Sequence, residues 1–298
     1  LQHEAVLKNA WIRTAKNRYR GLFEIHLSVI FLGATALFGK LIDQSPATIV
    51  LGRTFFASIA LLVGWFFFRQ SLRIRTIRDG LGIGLLGVIL AGHWMAFFHS
   101  IQVSTVAIGL LTFATFPIFV TFLEPLMFKE RIRRFDIIVS VVAAGGLFLL
   151  IPEFDLSNSM TLGVAWGMVT SVTCALLVVL CRKYVARYPA MTLTFYQNVV
   201  AALCVLPFAG HAVPNIGGND LAQLLLLGVV FTAFTHTLYV QGLKNVKAQL
   251  ASMITCLEPI YGITLAFFFL QEVLSWRELC GGAVVIAAVL LATTRIRK

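Results

Sequence analysis

The chain is written in long apolar runs separated by short polar punctuation. Ten runs reach or approach the roughly 20 residues a helix needs to cross a bilayer. They cover 21–42, 46–68, 80–101, 104–127, 135–151, 162–182, 190–209, 221–242, 248–269 and 275–294. The runs are unbroken, where a membrane barrel would alternate apolar and polar positions, so the pattern predicts helices. Few residues remain between them, which leaves no extramembrane domain.

The runs fall into two sets related by one offset. Pro117 and Pro259, each mid-run, stand 142 residues apart, and so do Glu130 and Glu272, each thirteen residues past its proline. The same offset carries Gly21 to Gly163, Lys40 to Arg182, Phe97 to Tyr239 and Ile101 to Leu243. A spacing kept from Gly21 to Glu130 is an internal repeat. It divides the chain into a basic N-terminal segment (1–20), a first repeat (21–151) and a second repeat (162–294). Five spans is an odd number, so the second repeat must enter the membrane from the opposite side. The expected fold is an all-α integral membrane protein, ten transmembrane helices in two inverted five-helix repeats around a central cavity.

Composition agrees. The chain is 59% hydrophobic and 12% charged with a mean hydropathy of +0.88, against about 25% charged residues in a soluble domain. The net charge of +11 raises a nucleic-acid partner, but its distribution argues against one. Alternate connections, with the two termini, hold 21 of the 24 Lys and Arg residues. The connections at 43–46, 152–161, 210–220 and 271–276 hold none. That is the positive-inside asymmetry, with both termini cytoplasmic; a nucleic-acid protein would gather charge on one face. Cys174, Cys181, Cys204, Cys256 and Cys280 all lie in apolar runs with no CxxC pair, which points to free thiols and no metal site. The first twenty residues lack a signal-peptide core, so the first span is expected to be retained. They form either a surface helix on anionic lipid or a frayed tail.

Polar residues inside the runs are the candidate chemistry. Arg53 lies seven residues past Pro46, about 10 Å below the boundary at 1.5 Å per residue. At that depth it either faces a partner or wet cavity, or snorkels to the surface. His93 and Phe97 share a helical face with Trp94 beside them. In the second repeat Thr235, His236 and Tyr239 align with His93, Trp94 and Phe97. Each histidine is either an interhelical hydrogen-bonding residue or part of a shared cavity. Glu258 is near the midplane, as a functional carboxylate or as an acceptor for Arg53 or His236. Pro117 and Pro259 remove backbone donors and are expected to bend their helices at matching depths. Trp166 stands one turn into span six, within reach of a central cavity. Glu24, His26 and Lys40 read as interfacial residues. Gly82, Gly84 and Gly87 match GxGxxG with no preceding strand, so they serve close helix packing instead. Neither a GxxxxGK[ST] nor an HExxH is present. Carriage, not catalysis, is expected, with no cofactor.

Taken together, Pro117…Glu130 and Leu257-Glu258-Pro259…Glu272, Arg53, and the patterns Phe97…Ser100-Ile101 and Tyr239…Gly242-Leu243 resemble the EamA-type branch of the drug/metabolite transporter superfamily. The likeness covers roughly residues 21–294; the two acids lack the preceding glycine usual in that family. The resemblance implies export of amino acids or related metabolites across a bacterial cytoplasmic (inner) membrane. An amphipathic zwitterion suits the residues: rings at Trp94, Phe97, Trp166 and Tyr239 for the side chain, and His93, Thr235, His236 and Glu258 for the charged end. Nucleosides, purines and cationic drugs are the alternatives on the same architecture. Expected partners are a small-molecule substrate and membrane lipid, with the chain a monomer or homodimer.

Overall fold

The structure is a computed structural model that describes residues 2–128, 134–150, 155, 157–209 and 216–294. Among the described residues every regular element is a helix, with no strand. In order they form α1 (Gln2–Thr35), α2 (Phe38–Leu41), α3 (Pro46–Phe68), α4 (Ile77–Val103), α5 (Val106–Phe113), α6 (Phe116–Phe128) and α7 (Arg134–Leu150). The second half gives α8 (Ser159–Val185), α9 (Ala190–Ala209), α10 (Gly218–Gly228), α11 (Thr235–Gly242), α12 (Ala248–Thr255), α13 (Glu258–Leu270) and α14 (Trp276–Thr294). Caps set where several begin. Ser45, Thr76, Thr105 and Asn158 each accept a backbone N–H from the first turn of α3, α4, α5 and α8.

Among the described residues, eight helical stretches are long and apolar enough to cross a membrane, and α7 contributes a shorter apolar one, Ile137–Leu150. Three of the stretches join two helices end to end: α1 with α2, α5 with α6, and α12 with α13. A fourth joins α10 to α11 through a π-helical turn, Val229–Phe234. The turn and the break at Ala36–Leu37 had no sequence signal.

The repeat is visible residue by residue. Adding 142 to the bounds of α5 and α6 gives those of α12 and α13. The second residue of α6 is Pro117 and of α13 Pro259, and the helix is interrupted just before each. Proline offers no N–H to the carbonyl four residues back, which is Phe113 in one repeat and Thr255 in the other. The Ser171 hydroxyl takes over at Phe113 O, 3.1 Å away.

Equivalent helices run antiparallel. The first half of one broken helix packs on the second half of the other, α5 on α13 and α6 on α12. The end of α7 meets the start of α14, where Gly146 and Leu150 close on Gly281, and Gly64 near the end of α3 faces Met191 at the start of α9. Residues 142 apart also touch: the Cys256 thiol lies 3.4 Å from Ala114 O. Equivalent positions can meet only on the axis relating the repeats, so that axis passes through the two helix breaks. Glycine contacts repeat likewise. Gly163 packs on Ser104, and its partner Gly21 packs on Val246, the partner of Ser104. At these crossings only a residue without a Cβ fits.

Candidate functional site

On the axis, between the halves, lies a cavity of about 90 Å³. The helix breaks bring Phe113, Thr255 and Glu258 to it; α4 contributes His93, Trp94 and Phe97, and α11 His236 and Tyr239. Arg53 reaches it from α3. Seven of the residues singled out in the sequence therefore share one enclosure.

Arg53 is completely buried. Its Nε donates to Thr232 Oγ1 at 3.0 Å, and its guanidinium carbon sits 3.7 Å above the centre of the Trp94 ring. Thr232 belongs to the π-turn and passes its own proton to Leu227 O, so the irregular helix positions the arginine's acceptor. The two terminal nitrogens, Nη1 and Nη2, are buried with no hydrogen-bond partner. Glu258, on the other repeat, is buried with Oε2 likewise unpartnered. The ion pair that was one alternative for Arg53 and Glu258 is not made: among the described residues no contact of 4.0 Å or less joins Arg53 to a carboxylate. Stacking on Trp94 and the bond to Thr232 hold the guanidinium instead.

Aromatic rings form most of the wall. Trp94 meets His236 edge-on at 5.8 Å, and Phe113 packs against Phe97 at 6.0 Å and His93 at 5.9 Å. His93 Nδ1 lies 3.1 Å from Thr170 O on α8. A carbonyl only accepts, so that nitrogen carries the proton and Nε2 of the neutral ring is free to accept. His93 is thus both an interhelical link and a wall of the cavity. His236 Nδ1 is buried without a partner, and Tyr239 Oη accepts from Thr255 Oγ1 at 3.4 Å.

Two expected residues stand elsewhere. Trp166 is 38% exposed and meets His99 edge-on at 5.0 Å, away from the cavity. The face of α8 turned inward carries Gly163, Gly167 and Ser171, and Trp166 lies off it. Thr235 is fully buried but bonds Val230 O at 2.8 Å, a carbonyl that the π-turn leaves within reach. Glu130 lies outside the described residues. The sequence reading also missed Phe113 and Thr255. Each lies four residues before a repeat proline, and that spacing was the available signal. Nothing in the sequence marked Thr232.

The two ends of the bundle differ. At the end bearing the basic connections, Arg182 pairs with Glu124, and Tyr188 Oη donates to Asp79 at 2.7 Å. At the far end Lys40 Nζ donates to Ser104 O at 2.7 Å, Glu272 Oε2 accepts from Val106 N at 3.0 Å, and Thr105 Oγ1 donates to Glu278. Burial raises the Glu272 carboxyl above its ordinary value, against the opposing pull of Val106 N–H and Lys40.

The model of the EamA-like transporter family matches the chain twice, over residues 19–151 and 161–294. An uncharacterized transporter of Archaeoglobus fulgidus is 27% identical over 288 residues, spanning 95% of this chain and 98% of its own. The uncharacterized transporter YojE of Bacillus subtilis is 24% identical, with 92% and 93% covered. A solved crystal structure superposes with a TM-score of 0.68 at 15% identity, covering 95% of this chain and 97% of that one, which speaks to the fold alone. With two antiparallel copies of the family unit closing on one buried cavity, the chain belongs to the EamA-like transporter family of the drug/metabolite transporter superfamily, and is a multi-pass membrane transporter.

Proposed function

We propose that this transporter exports amino acids, hydrophobic and aromatic ones among them, by alternating access. It sits in a bacterial cytoplasmic membrane with both termini cytoplasmic. One observation carries the reading. Arg53 offers two buried donor nitrogens and Glu258 one buried acceptor to the same ring-lined cavity, and no contact of 4.0 Å or less joins the two groups. Buried polar groups are paired in nearly all proteins, so these atoms are complementary to something absent. A solute with a carboxylate, an ammonium and an apolar side chain satisfies all three elements: fork to carboxylate, Glu258 to ammonium, rings to side chain. The arginine and the glutamate come from different repeats, so such a solute bridges the halves and favours the state in which both contacts form.

The rival solutes fit less well. A cationic drug would find Glu258 but would share a low-dielectric cavity with the charge of Arg53. A nucleoside would use the rings and leave both charges unmatched. Counterflow in proteoliposomes tests the reading: vesicles preloaded with unlabelled amino acid should accumulate labelled L-phenylalanine or L-leucine. A chain that moves no amino acid, yet moves a labelled nucleoside or cationic dye, refutes it.

A further inference from the structure

A second opening, a cleft of about 500 Å³ open on one side, lies at the basic end between α1, α3, α9 and the π-turn with α11. Glu24 and Thr237 line it, with Gln241 and Arg20 at its rim and Phe68 and Phe234 among its apolar walls. Glu24 is only 5% exposed. Its Oε1 accepts from Arg20 Nε at 2.8 Å, while Oε2 is buried with no partner. The Thr237 hydroxyl is buried without a partner as well. Arg20 cannot serve both oxygens through one nitrogen, and its side chain is largely in solvent.

The repeat shows that this opening is not forced by the fold. Subtracting or adding 142 turns Gln241 into His99 and Glu24 into Trp166. In the other half those two positions are filled by rings meeting edge-on at 5.0 Å. Where one copy is plugged with aromatic surface, the other keeps a carboxylate over an open cleft. Arg20 satisfies one oxygen of Glu24, and the second, buried without a donor, costs free energy until one reaches it.

We infer that the cleft is a second binding site, in which Glu24 and Thr237 take the ammonium of an amphipathic amine and the apolar walls take its body. Its place as a loading site ahead of the central cavity rests on the amino-acid reading above, in which the basic end faces the cytoplasm. The ammonium chemistry stands without it. The same chemistry has two sources, a free solute and the headgroup of an ethanolamine lipid reaching in past Phe68 and Phe234.

Equilibrium binding of labelled phenethylamine to the full chain in phosphatidylcholine nanodiscs tests the site. Phenethylamine has an ammonium and a ring but no carboxylate for Arg53. The wild type should bind it saturably, Glu24→Gln at least about tenfold more weakly and Thr237→Val about threefold more weakly. The same ratios should hold when every protein also carries Glu258→Gln, which removes the central cavity's ammonium acceptor from the titration. Unchanged affinity in Glu24→Gln, with Glu258 present or replaced, overturns the assignment. Should Glu24→Gln aggregate on gel filtration, Thr237→Val decides, and unchanged affinity there overturns it too. Repeating the titration in phosphatidylethanolamine discs names the occupant. Weakened phenethylamine binding in the wild type assigns the site to the lipid headgroup as well, and undiminished binding assigns it to the solute. Counterflow of L-phenylalanine separates this site from the central one. Absent counterflow with Glu24-dependent amine binding refutes the amino-acid reading alone; normal counterflow with Glu24-independent binding refutes the cleft alone.

Discussion

Replacing Arg53 by methionine separates the carboxylate-binding role proposed for this residue from any structural one. The side chain is fully buried, with both terminal nitrogens unpartnered. Methionine of similar reach fills the space above Trp94, and Thr232 keeps its own bond to Leu227 O. Exchanging a buried, half-satisfied charge for an apolar group of like volume is often neutral or stabilising. The melting temperature of the purified variant should therefore stay within about 3 °C of the wild type. Transport should not survive as well. Hydrogen bonds to a charged partner contribute about 1.5–3 kcal/mol, so KM for L-phenylalanine in proteoliposomes should rise roughly 10- to 100-fold. L-Phenylalaninamide, which keeps the ammonium and lacks the carboxylate, should suffer the same loss on the wild type. On Arg53→Met the amino acid and its amide should be equivalent, because the group that tells them apart is gone. Arg53→Lys should fall between, keeping the charge without the fork. A folded Arg53→Met that still prefers the acid to the amide by the wild-type ratio refutes the reasoning.

The remaining predictions concern the frame. In Gly163→Ala the new Cβ would lie 2.4 Å from Ser104 Cβ at the α4–α8 crossing; the variant should lose about 1–3 kcal/mol in denaturant unfolding, while Gly92→Ala, with nothing within 4 Å, should lose none. Glu272 has its carboxyl raised by burial, so the native state holds that proton more tightly than the unfolded chain; the stability of the wild type relative to Glu272→Gln should be greatest below the ordinary carboxylate range and decline as pH rises through the raised value, read as the difference in melting temperature from pH 4 to 8. Removing the Lys40 bonds to Ser104 O and Gln102 O loosens the far end: with the other four cysteines replaced by alanine, Cys174 in the cavity wall should react several-fold faster in Lys40→Met with a charged thiol reagent added from that side.

Much of this architecture was legible because it is repeated. The 142-residue offset located the breaks before Pro117 and Pro259, and the break sites bring Glu258 to the axis. Local signals were also enough for Trp94, Phe97, His236 and Tyr239, which lie on one helical face at matching depths. Trp166 was misplaced for a physical reason. Depth is read from counting along a run, but azimuth depends on which face the glycines turn inward, and Gly163 and Gly167 turn Trp166 away. Thr235 failed because a π-turn of the kind at Val229–Phe234 leaves no mark in composition. That same turn supplies Thr232 to Arg53, so the anchor of the arginine could not be read in advance. The charges were legible one at a time, and their failure to pair was not: whether Arg53 meets Glu258 or Trp94 is decided by distances that only the folded chain fixes.

Two copies with one fold hold different shapes, and that difference leaves one end of the bundle open and the other closed. The far end is shut by Trp166 against His99, by Lys40 across the α4–α5 corner, and by Glu272 on the first turn of α5. The equivalent place at the basic end stands open at Glu24 and Gln241. An inverted repeat makes the opposite arrangement equally attainable in outline, with the cleft closing as the aromatic plug parts. The helix breaks are where such an exchange can turn. Each lacks a backbone hydrogen bond at its proline, each lies on the axis, and the contact of Cys256 with Ala114 O keeps the two together there. Rotation about that point moves the half-helices α5 and α13 against α6 and α12 and leaves the cavity at the pivot. A solute joining Arg53 to Glu258 at that pivot links the two halves that must move. On the amino-acid reading proposed above, the molecule carried is one whose length lets both contacts form at once.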